Sequence, residues 1–168
     1  MPVTALATPN IALIKYWGNR NDVLRLPMAD SLSMTLDRPS VEITVEHAPA
    51  MELHSFDASG KEKVLKEKDI ARFAKHLELT KTYLATVGAA DAIVEAASIV
   101  VRSHIPSSIG LASSAAVFGC LAKAYAGIIA PKKALTDKEI SVIARLGSGS
   151  AARSIFGGYA ALWAKSGD

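Results

Sequence analysis

The sequence has few of the features that mark secreted, membrane-spanning or disulfide-bonded proteins. It has one cysteine among 168 residues, Cys120, which excludes an internal disulfide framework and suits the reducing cytoplasm. The opening segment MPVTALATPN has no basic region of the kind that begins a signal peptide. The most apolar run, residues 89–101, is too short to span a bilayer and contains Asp91 and Glu95. We therefore expect a cytoplasmic protein with no membrane partner.

Histidine and net charge are also low. The four histidines lie far apart, and their spacing matches no zinc site. The net charge of +3 is small and the basic residues are scattered, so the sequence does not favour nucleic acid as a partner. The charge is compatible with a small anionic ligand. Half of the residues are apolar, and the length suits one globular domain.

Hydrophobic patterning predicts strands in the first hundred residues. SVEITVEH alternates apolar and polar residues, which is typical of a half-buried strand. Residues 51–65 indicate a hairpin around the turn DASG. The β-branched segment AIVEAASIVVRSHI predicts a buried strand that ends near Pro106.

Three helices and a last strand are predicted beyond residue 65. The first helix begins at Asp69, a candidate N-cap, and the second covers residues 111–125 and is buried over most of its surface. The third begins at Thr136, which forms a capping box with Glu139. GGYAALWA then predicts a strand. This order indicates an α+β domain with helices on one face of a largely antiparallel sheet.

A serine-rich loop, PSSIGLASSAA, precedes the second helix. Gly110 permits close approach to a ligand, and the helix presents free N–H groups near Ser113 and Ser114. Hydroxyls there either cap the helix or bind phosphate oxygens or a phosphate-bound Mg²⁺. No lysine follows the glycine where a Walker A loop requires one. The composition alone leaves a capped turn and a phosphate-binding loop as alternatives.

Two further segments concentrate groups that bind anions. GSGSAAR contains Ser148, Ser150 and Arg153, and an arginine fork suits a carboxylate or a phosphate. KYWGNR places cations beside two aromatic residues and a glycine. The structural alternatives are a flexible helix-to-strand connection for the first segment and a strand leaving the core for the second.

Taken together, these motifs resemble those of diphosphomevalonate decarboxylases, which belong to the GHMP kinase superfamily. The motifs occur in the family's order and cover nearly all of the chain: ATPNIALIKYWGNRN, LPMADSLSMTL, PSSIGLASSAA and ARLGSGSAARSIFGGYAALW. The resemblance implies a GHMP-type N-terminal domain over residues 1–168, with the ribosomal protein S5 domain 2-like fold. It also implies ATP and Mg²⁺ as cosubstrates in the decarboxylation of (R)-5-diphosphomevalonate to isopentenyl diphosphate.

The resemblance also implies roles for individual residues. Lys15 and Arg153 are the implied catalytic residues: Arg153 clamps the substrate carboxylate, and Lys15 stands near the reacting end. Ser113 is the implied contact to the ATP-bound Mg²⁺. The implied substrate-binding residues are Tyr16, Trp17, Asn19, Ser148, Ser150 and Arg153. The implied ATP-binding residues are Pro106, Ser107, Ser108, Gly110, Leu111, Ala112, Ser113 and Ser114.

The chain departs from the family pattern at Asn19. The family commonly has a lysine there that contacts substrate phosphate. Loss of that cation favours a substrate with fewer phosphates, so a 5-phosphomevalonate decarboxylase giving isopentenyl phosphate is the leading alternative. Arg20 or Arg25 could equally compensate for the missing lysine.

Length is the second departure. The family's chains are longer, and their catalytic aspartate lies in the second half, so Asp30 is not assigned as the base. We expect this chain to be an N-terminal half that turns over poorly alone and is a homodimer in its full-length form. The remaining alternatives are a mevalonate 3-kinase that releases no CO₂ and a non-catalytic fragment that pairs with a missing C-terminal half.

Overall fold

The fold is that of a computed structural model, which describes residues 1–92, 94–106, 111 and 113–165. Seven of the nine strands lie in the first half of this part of the chain, and helices occupy most of the second half. The strands are β1 (Val3–Ala7), β2 (Asn10–Ile14), β3 (Asn19–Asn21), β4 (Leu26–Pro27), β5 (Ser31–Thr35), β6 (Val41–His47), β7 (Glu52–Phe56), β8 (Ala97–Ser103) and β9 (Tyr159–Leu162). The helices are α1 (Glu67–Thr86), α2 (Ser113–Ile129) and α3 (Asp137–Gly147), with short 3₁₀ helices at Ala90–Ala92 and Gly149–Ile155.

The strands form two main sheets. One has the order β1-β6-β8-β7 and the other the order β2-β5-β9, while β3 pairs with β4. Neighbouring strands are antiparallel except β7 and β8, which are parallel and are joined through α1. This arrangement confirms the predicted α+β class and the largely antiparallel pairing.

The core lies between the four-stranded sheet and α2. Val41, Ile43 and Val45 of β6 are fully buried, as the alternation predicts, and α2 packs against β1 and β6. Most residues of α2 are buried, which confirms that prediction. Cys120 is a buried free thiol, and burial raises its pKa to about 12. Its place in the core accounts for this cysteine without a reactive role.

The predicted N-cap of α1 is wrong. The N-cap is Lys66 and not Asp69, because the Asp69 N–H already donates to the Lys66 carbonyl (2.8 Å) within the first turn.

The predicted hairpin turn after β7 is present. The Lys63 N–H donates to the Ser55 carbonyl (2.7 Å), and Phe56 forms an isolated antiparallel bridge with Glu62. Residues 61–65 do not form a full strand, and β7 also pairs in parallel with β8 over five residue pairs.

The strand predicted before Pro106 is shorter than its apolar segment. β8 begins at Ala97, and the residues before it include the 3₁₀ helix Ala90–Ala92. The capping box of α3 is confirmed: the Thr136 side chain accepts from the Glu139 N–H, and the Glu139 carboxylate accepts from the Thr136 N–H (2.7 Å). The predicted last strand is β9. Within the described residues, no helix has the length and apolar character needed to cross a membrane.

His76 of α1 is buried against α2 and α3. Its Nε2 lies 2.9 Å from the Ile143 carbonyl, and its ring packs on Phe118 and Tyr125. Burial lowers the pKa of His76 from 6.5 to about 4, so the folded protein holds it neutral. As the pH falls through 6.5, His76 takes up a proton in the unfolded chain but stays neutral in the folded chain.

We expect this histidine to make the protein acid-sensitive. The contribution of neutral His76 to the free energy of unfolding is complete above pH 6.5. It is lost as the pH falls toward 4, and the total loss is roughly 3 kcal/mol. Urea unfolding at pH 7.5 and pH 4.5 measures the loss, and His76→Gln should remove most of it. His47→Gln, at an exposed histidine, is the matched control and should keep the full loss. Equal pH dependence in wild type and His76→Gln would contradict the assignment.

Candidate functional site

Arg153 is the central cation of the candidate site and lies on the 3₁₀ helix that follows α3. It is 2% exposed; its Nε donates to the Ser33 hydroxyl (2.9 Å), and its Nη1 donates to the Ser31 hydroxyl. No carboxylate in the described part of the chain forms an ion pair with it. Burial lowers its pKa, but a guanidinium remains charged at neutral pH. A buried cation held only by hydroxyls suits an anionic ligand.

A cleft of about 420 Å³ opens beside Arg153. It brings together residues from the start of the chain, the segment before α2 and the 3₁₀ helix. Lys15 is exposed, and Tyr16 is half-buried. The lining residues are Asn10, Ile11, Ala12, Lys15, Tyr16, Leu111, Ser150 and Arg153. Five residues singled out from the sequence therefore meet at one place.

Asn10, Ser31 and Ser33 are functional candidates that the sequence analysis missed. All three are buried, and both serines bond to Arg153. The Asn10 Nδ2 donates to the Ser150 carbonyl (2.9 Å) and to the Ser154 hydroxyl (2.7 Å). The available signal was strand periodicity: Ser31 and Ser33 occupy alternate, buried positions of β5. The inner face of the three-stranded sheet therefore supports the site with polar groups.

Tyr16 packs against the segment that follows α3. A Cβ placed on Gly149 would lie 2.5 Å from the Tyr16 Cζ, so only glycine permits this contact. The Tyr16 hydroxyl lies within hydrogen-bond distance of the Asn19 Oδ1 and of the Arg25 carbonyl. Burial raises the pKa of Tyr16, although nearby arginines partly offset this, so the hydroxyl stays protonated and acts as a donor.

Asn19 and Trp17 lie differently from the residues of the cleft. The Asn19 Nδ2 donates to Asp22 Oδ1 (3.0 Å), and its Oδ1 lies beside the Tyr16 hydroxyl, whose single proton it shares with the Arg25 carbonyl. Trp17 is 68% exposed and is not among the residues that line the cleft. Their predicted contacts to substrate remain predictions.

The N-terminus of α2 adjoins this cleft through a series of serine hydroxyls. The Ser148 Oγ lies 3.4 Å from the Ser114 Oγ and 3.4 Å from the Ser150 Oγ. Ser113 is the first residue of α2, and its N–H donates to the Leu111 carbonyl (2.9 Å). The structure thus places the serine pair of the predicted phosphate loop beside the predicted substrate segment.

The predicted phosphate loop lies only partly within the described residues. Ser107, Ser108, Gly110 and Ala112 lie outside the described residues. Pro106 follows β8 directly, while Leu111 lines the cleft.

A family model for the diphosphomevalonate decarboxylase-like N-terminal domain matches residues 7–168. The chain belongs to this family. The diphosphomevalonate decarboxylase of Ganoderma lucidum is 36% identical over 163 residues, covering 94% of this chain and 40% of the relative. The mevalonate diphosphate decarboxylase structure from Staphylococcus aureus has a TM-score of 0.80 at 32% identity, with 97% of this chain and 46% of that chain covered.

A structure of MDDEF in complex with MVAPP, AMPPCP and magnesium is similarly close to this decarboxylase-like domain. The TM-score is 0.78 at 35% sequence identity, and the match covers 98% of this chain and 47% of the MDDEF chain. The chain spans about 40% of the length of the curated relatives it matches. These neighbours confirm the predicted GHMP-type fold.

A second cavity, of about 190 Å³, lies at the α2 N-terminus of this decarboxylase-like domain. Its walls are mainly apolar side chains from β7, α1 and α2, together with Leu65 and Val101. Ser113 and Ser114 border it, and Ser55, Asp69 and Arg72 supply polar groups. The α2 N-terminus therefore borders this cavity, and its Ser114 also lies 3.4 Å from Ser148 beside the cationic cleft.

Acidic groups are absent from the cleft of this decarboxylase-like domain, as far as the described residues go. No Asp or Glu lines it, and no group of three His, Cys, Asp or Glu side chains in the described part is arranged to hold a metal ion. The Asp30 carboxylate accepts from the Ala164 N–H (2.7 Å), which gives it a structural contact. A metal ion held mainly by nucleotide oxygens needs few protein ligands.

Proposed function

We propose that this chain is the ATP- and substrate-binding domain of an enzyme that decarboxylates (R)-5-diphosphomevalonate to isopentenyl diphosphate. The observation that carries the proposal is the buried, hydroxyl-held Arg153 in the cationic cleft. The names of the relatives and the ligands of the MDDEF complex support it. In this reaction ATP phosphorylates the 3-hydroxyl, and the new phosphate then leaves as the carboxylate departs as CO₂.

The residues of the cleft are proposed to hold and orient the substrate. Arg153 binds its carboxylate, which matches a bidentate fork. Lys15 is the exposed cation of the cleft, and its ammonium group stabilises the negative charge that develops at the reacting end of the substrate. The hydroxyl groups of Tyr16, Ser148 and Ser150 are available for hydrogen bonds to the remaining part of the substrate. Trp17 and Asn19 complete the proposed set at the outer end.

The N-terminus of α2 is the proposed phosphate site for ATP. Its positive dipole end and the hydroxyls of Ser113 and Ser114 fit a polyphosphate, and Ser113 also suits Mg²⁺. Bound ATP–Mg²⁺ supplies the phosphoryl group. Pro106, Ser107, Ser108, Gly110, Leu111 and Ala112 are proposed to belong to this ATP site as well. The apolar cavity beside Ser113 suits the nucleoside.

We also propose that residues 1–168 form one domain and that a second domain supplies the catalytic aspartate. The absence of a carboxylate from the described lining of the cleft supports this division. A cytoplasmic homodimer is the proposed state of the whole protein. The buried, reduced Cys120 is compatible with that location.

A 5-phosphomevalonate decarboxylase is the second candidate. It is favoured by Asn19, which stands at the family's lysine position and donates to the Asp22 carboxylate (3.0 Å), so that this position has an acidic neighbour and no cation of its own. A carboxylate disfavours additional negative charge nearby. Arg25 lies on the same loop and is the cation that could offset it.

One assay distinguishes these functions. The whole protein is incubated with ATP, Mg²⁺ and either 5-phosphomevalonate or 5-diphosphomevalonate, and CO₂ and ADP are both measured. Equal yields of CO₂ and ADP are expected, and the preferred substrate decides between the two decarboxylases. ADP without CO₂ would instead indicate a 3-kinase. Neither product with either substrate would contradict the proposal and leave a non-catalytic fragment.

A further inference from the structure

Arg25, in the connection between β3 and β4, has an unusual backbone conformation. Its φ of 48° lies in the left-handed region, and no other non-glycine residue in the described ranges has a positive φ. Asn and Asp tolerate this region because their short side chains bond to nearby backbone, but arginine has no such advantage. Such a conformation persists where surrounding contacts require it.

Arg25 makes two contacts that join different parts of the site. Its carbonyl accepts from the Tyr16 hydroxyl (2.6 Å), and its Nε donates to the Leu146 carbonyl in the last turn of α3 (3.1 Å). The ring of Tyr16 in turn rests on Gly149, just beyond that helix. Arg25 therefore closes a ring of contacts that holds Tyr16 against the end of α3.

The end of α3 also needs cations for an electrostatic reason. A helix C-terminus carries partial negative charge on its last carbonyls, and this one leads directly into Ser148 and Ser150, beside a cleft suited to an anion. Arg25 covers the Leu146 carbonyl, and the Arg72 Nη2 donates to the Gly147 carbonyl (2.9 Å). The two guanidinium groups thus compensate charge that would oppose an anionic substrate.

We propose that Arg25 is a positioning residue for the candidate substrate cleft. It fixes Tyr16 relative to Ser148 and Ser150 and caps the end of α3. Arg25 is not among the residues that line the cleft, so it acts through these neighbours. The substrate in this inference rests on the proposed function, whereas the positioning itself rests on the contacts of Arg25.

The test compares Arg25→Asn with Arg25→Lys in the whole protein. Asparagine tolerates a positive φ but removes the guanidinium, and lysine keeps the charge without the fork. Arg25→Asn should raise the KM for the phosphorylated mevalonate about 10-fold and leave the KM for ATP within about twofold, with Arg25→Lys intermediate. Arg38→Asn, at an exposed arginine between β5 and β6, should change neither KM. An equal rise in both KM values would reject a role specific to the substrate cleft.

Coupling to Tyr16 is tested by a double variant. If Arg25 acts through Tyr16, the KM increase of Arg25→Asn combined with Tyr16→Phe is smaller than the product of the two single increases. Increases that multiply fully would show that Arg25 acts independently of Tyr16 and would overturn the proposal.

Hydrogen exchange provides a readout that needs no substrate. In Arg25→Asn the amides of residues 146–151 should exchange at least about fivefold faster, while those of the middle of α1 are unchanged. Arg25→Lys serves the same comparison if Arg25→Asn does not fold. Unchanged exchange at residues 146–151 would overturn the positioning role. Faster exchange there in a protein whose wild type has no decarboxylase activity would contradict only the proposed function.

Discussion

Arg153→Ala is expected to lower kcat/KM for decarboxylation by at least about 10³-fold, because it removes the buried cation that is proposed to bind the substrate carboxylate. The loss should appear in both kcat and KM, since the carboxylate must be held and must also leave from a fixed position. Steady-state release of CO₂ by the whole protein measures it. Arg153→Lys should recover only part of the activity, because an ammonium group cannot reproduce the two hydrogen bonds to Ser31 and Ser33.

The control for this variant is Arg102→Ala. Arg102 lies on β8, where its exposed guanidinium makes a 3.6 Å ion pair with Glu42 and lies 5.6 Å from the Phe56 ring centroid, so its removal should change activity by less than about twofold. Arg153→Ala leaves the hydroxyls of Ser31 and Ser33 without their partner and could therefore affect folding. Circular dichroism and thermal melting test whether the variant is folded. Decarboxylation near the wild-type rate in folded Arg153→Ala would exclude the carboxylate-binding role.

Gly147→Ala is expected to destabilise the fold by about 3 kcal/mol, because an added Cβ would lie 2.0 Å from the Phe118 Cδ1 and 2.3 Å from its Cγ. Phe118 is buried in contact with Phe73 and His76, and the Arg72 guanidinium lies 4.5 Å from its ring centroid. The ring therefore has little room to move. Replacing glycine by alanine within a helix would gain at most about 1 kcal/mol, so the steric overlap dominates.

Thermal melting should show this loss as a decrease of roughly 10 °C in Tm. Gly157→Ala is the matched control, because a Cβ there meets no atom within 4 Å and the backbone has no positive φ. That control should stay within about 0.5 kcal/mol of wild type. A Tm for Gly147→Ala equal to that of Gly157→Ala would show that the Phe118 ring relocates freely.

Elements with a strong local signal were predictable. The alternation of β6 and the capping box of α3 reflect side-chain direction and hydrogen bonds between neighbouring residues, so both follow from the sequence. The parallel partner of β7 and the true start of α1 did not follow. The pairing of β7 with β8 is made across about 45 residues, and no local pattern in the sequence specifies so distant a partner.

The candidate site shows the same division between local and long-range information. Arg153, Tyr16 and Ser150 were identified because their motifs concentrate unusual residue types. Asn10 and Arg25 carried no such signal, since a lone polar residue in a strand or a loop is common in sequences. Their importance comes from hydrogen bonds to residues more than a hundred positions away, Ser150 and Leu146 respectively.

The sequence by itself therefore determined the α+β class, the capping box of α3 and the residue types that suit an anionic ligand. These depend on short-range periodicity and on side-chain chemistry, which the chain carries before it folds. Only the tertiary structure decided that Arg153 is held by two serines and, among the described residues, by no carboxylate. It also decided that the end of α3 is tied to Tyr16 through Arg25. The physical reason is that burial and distant partners fix the charge balance and the geometry of a site, and both arise when the sheets and helices pack together.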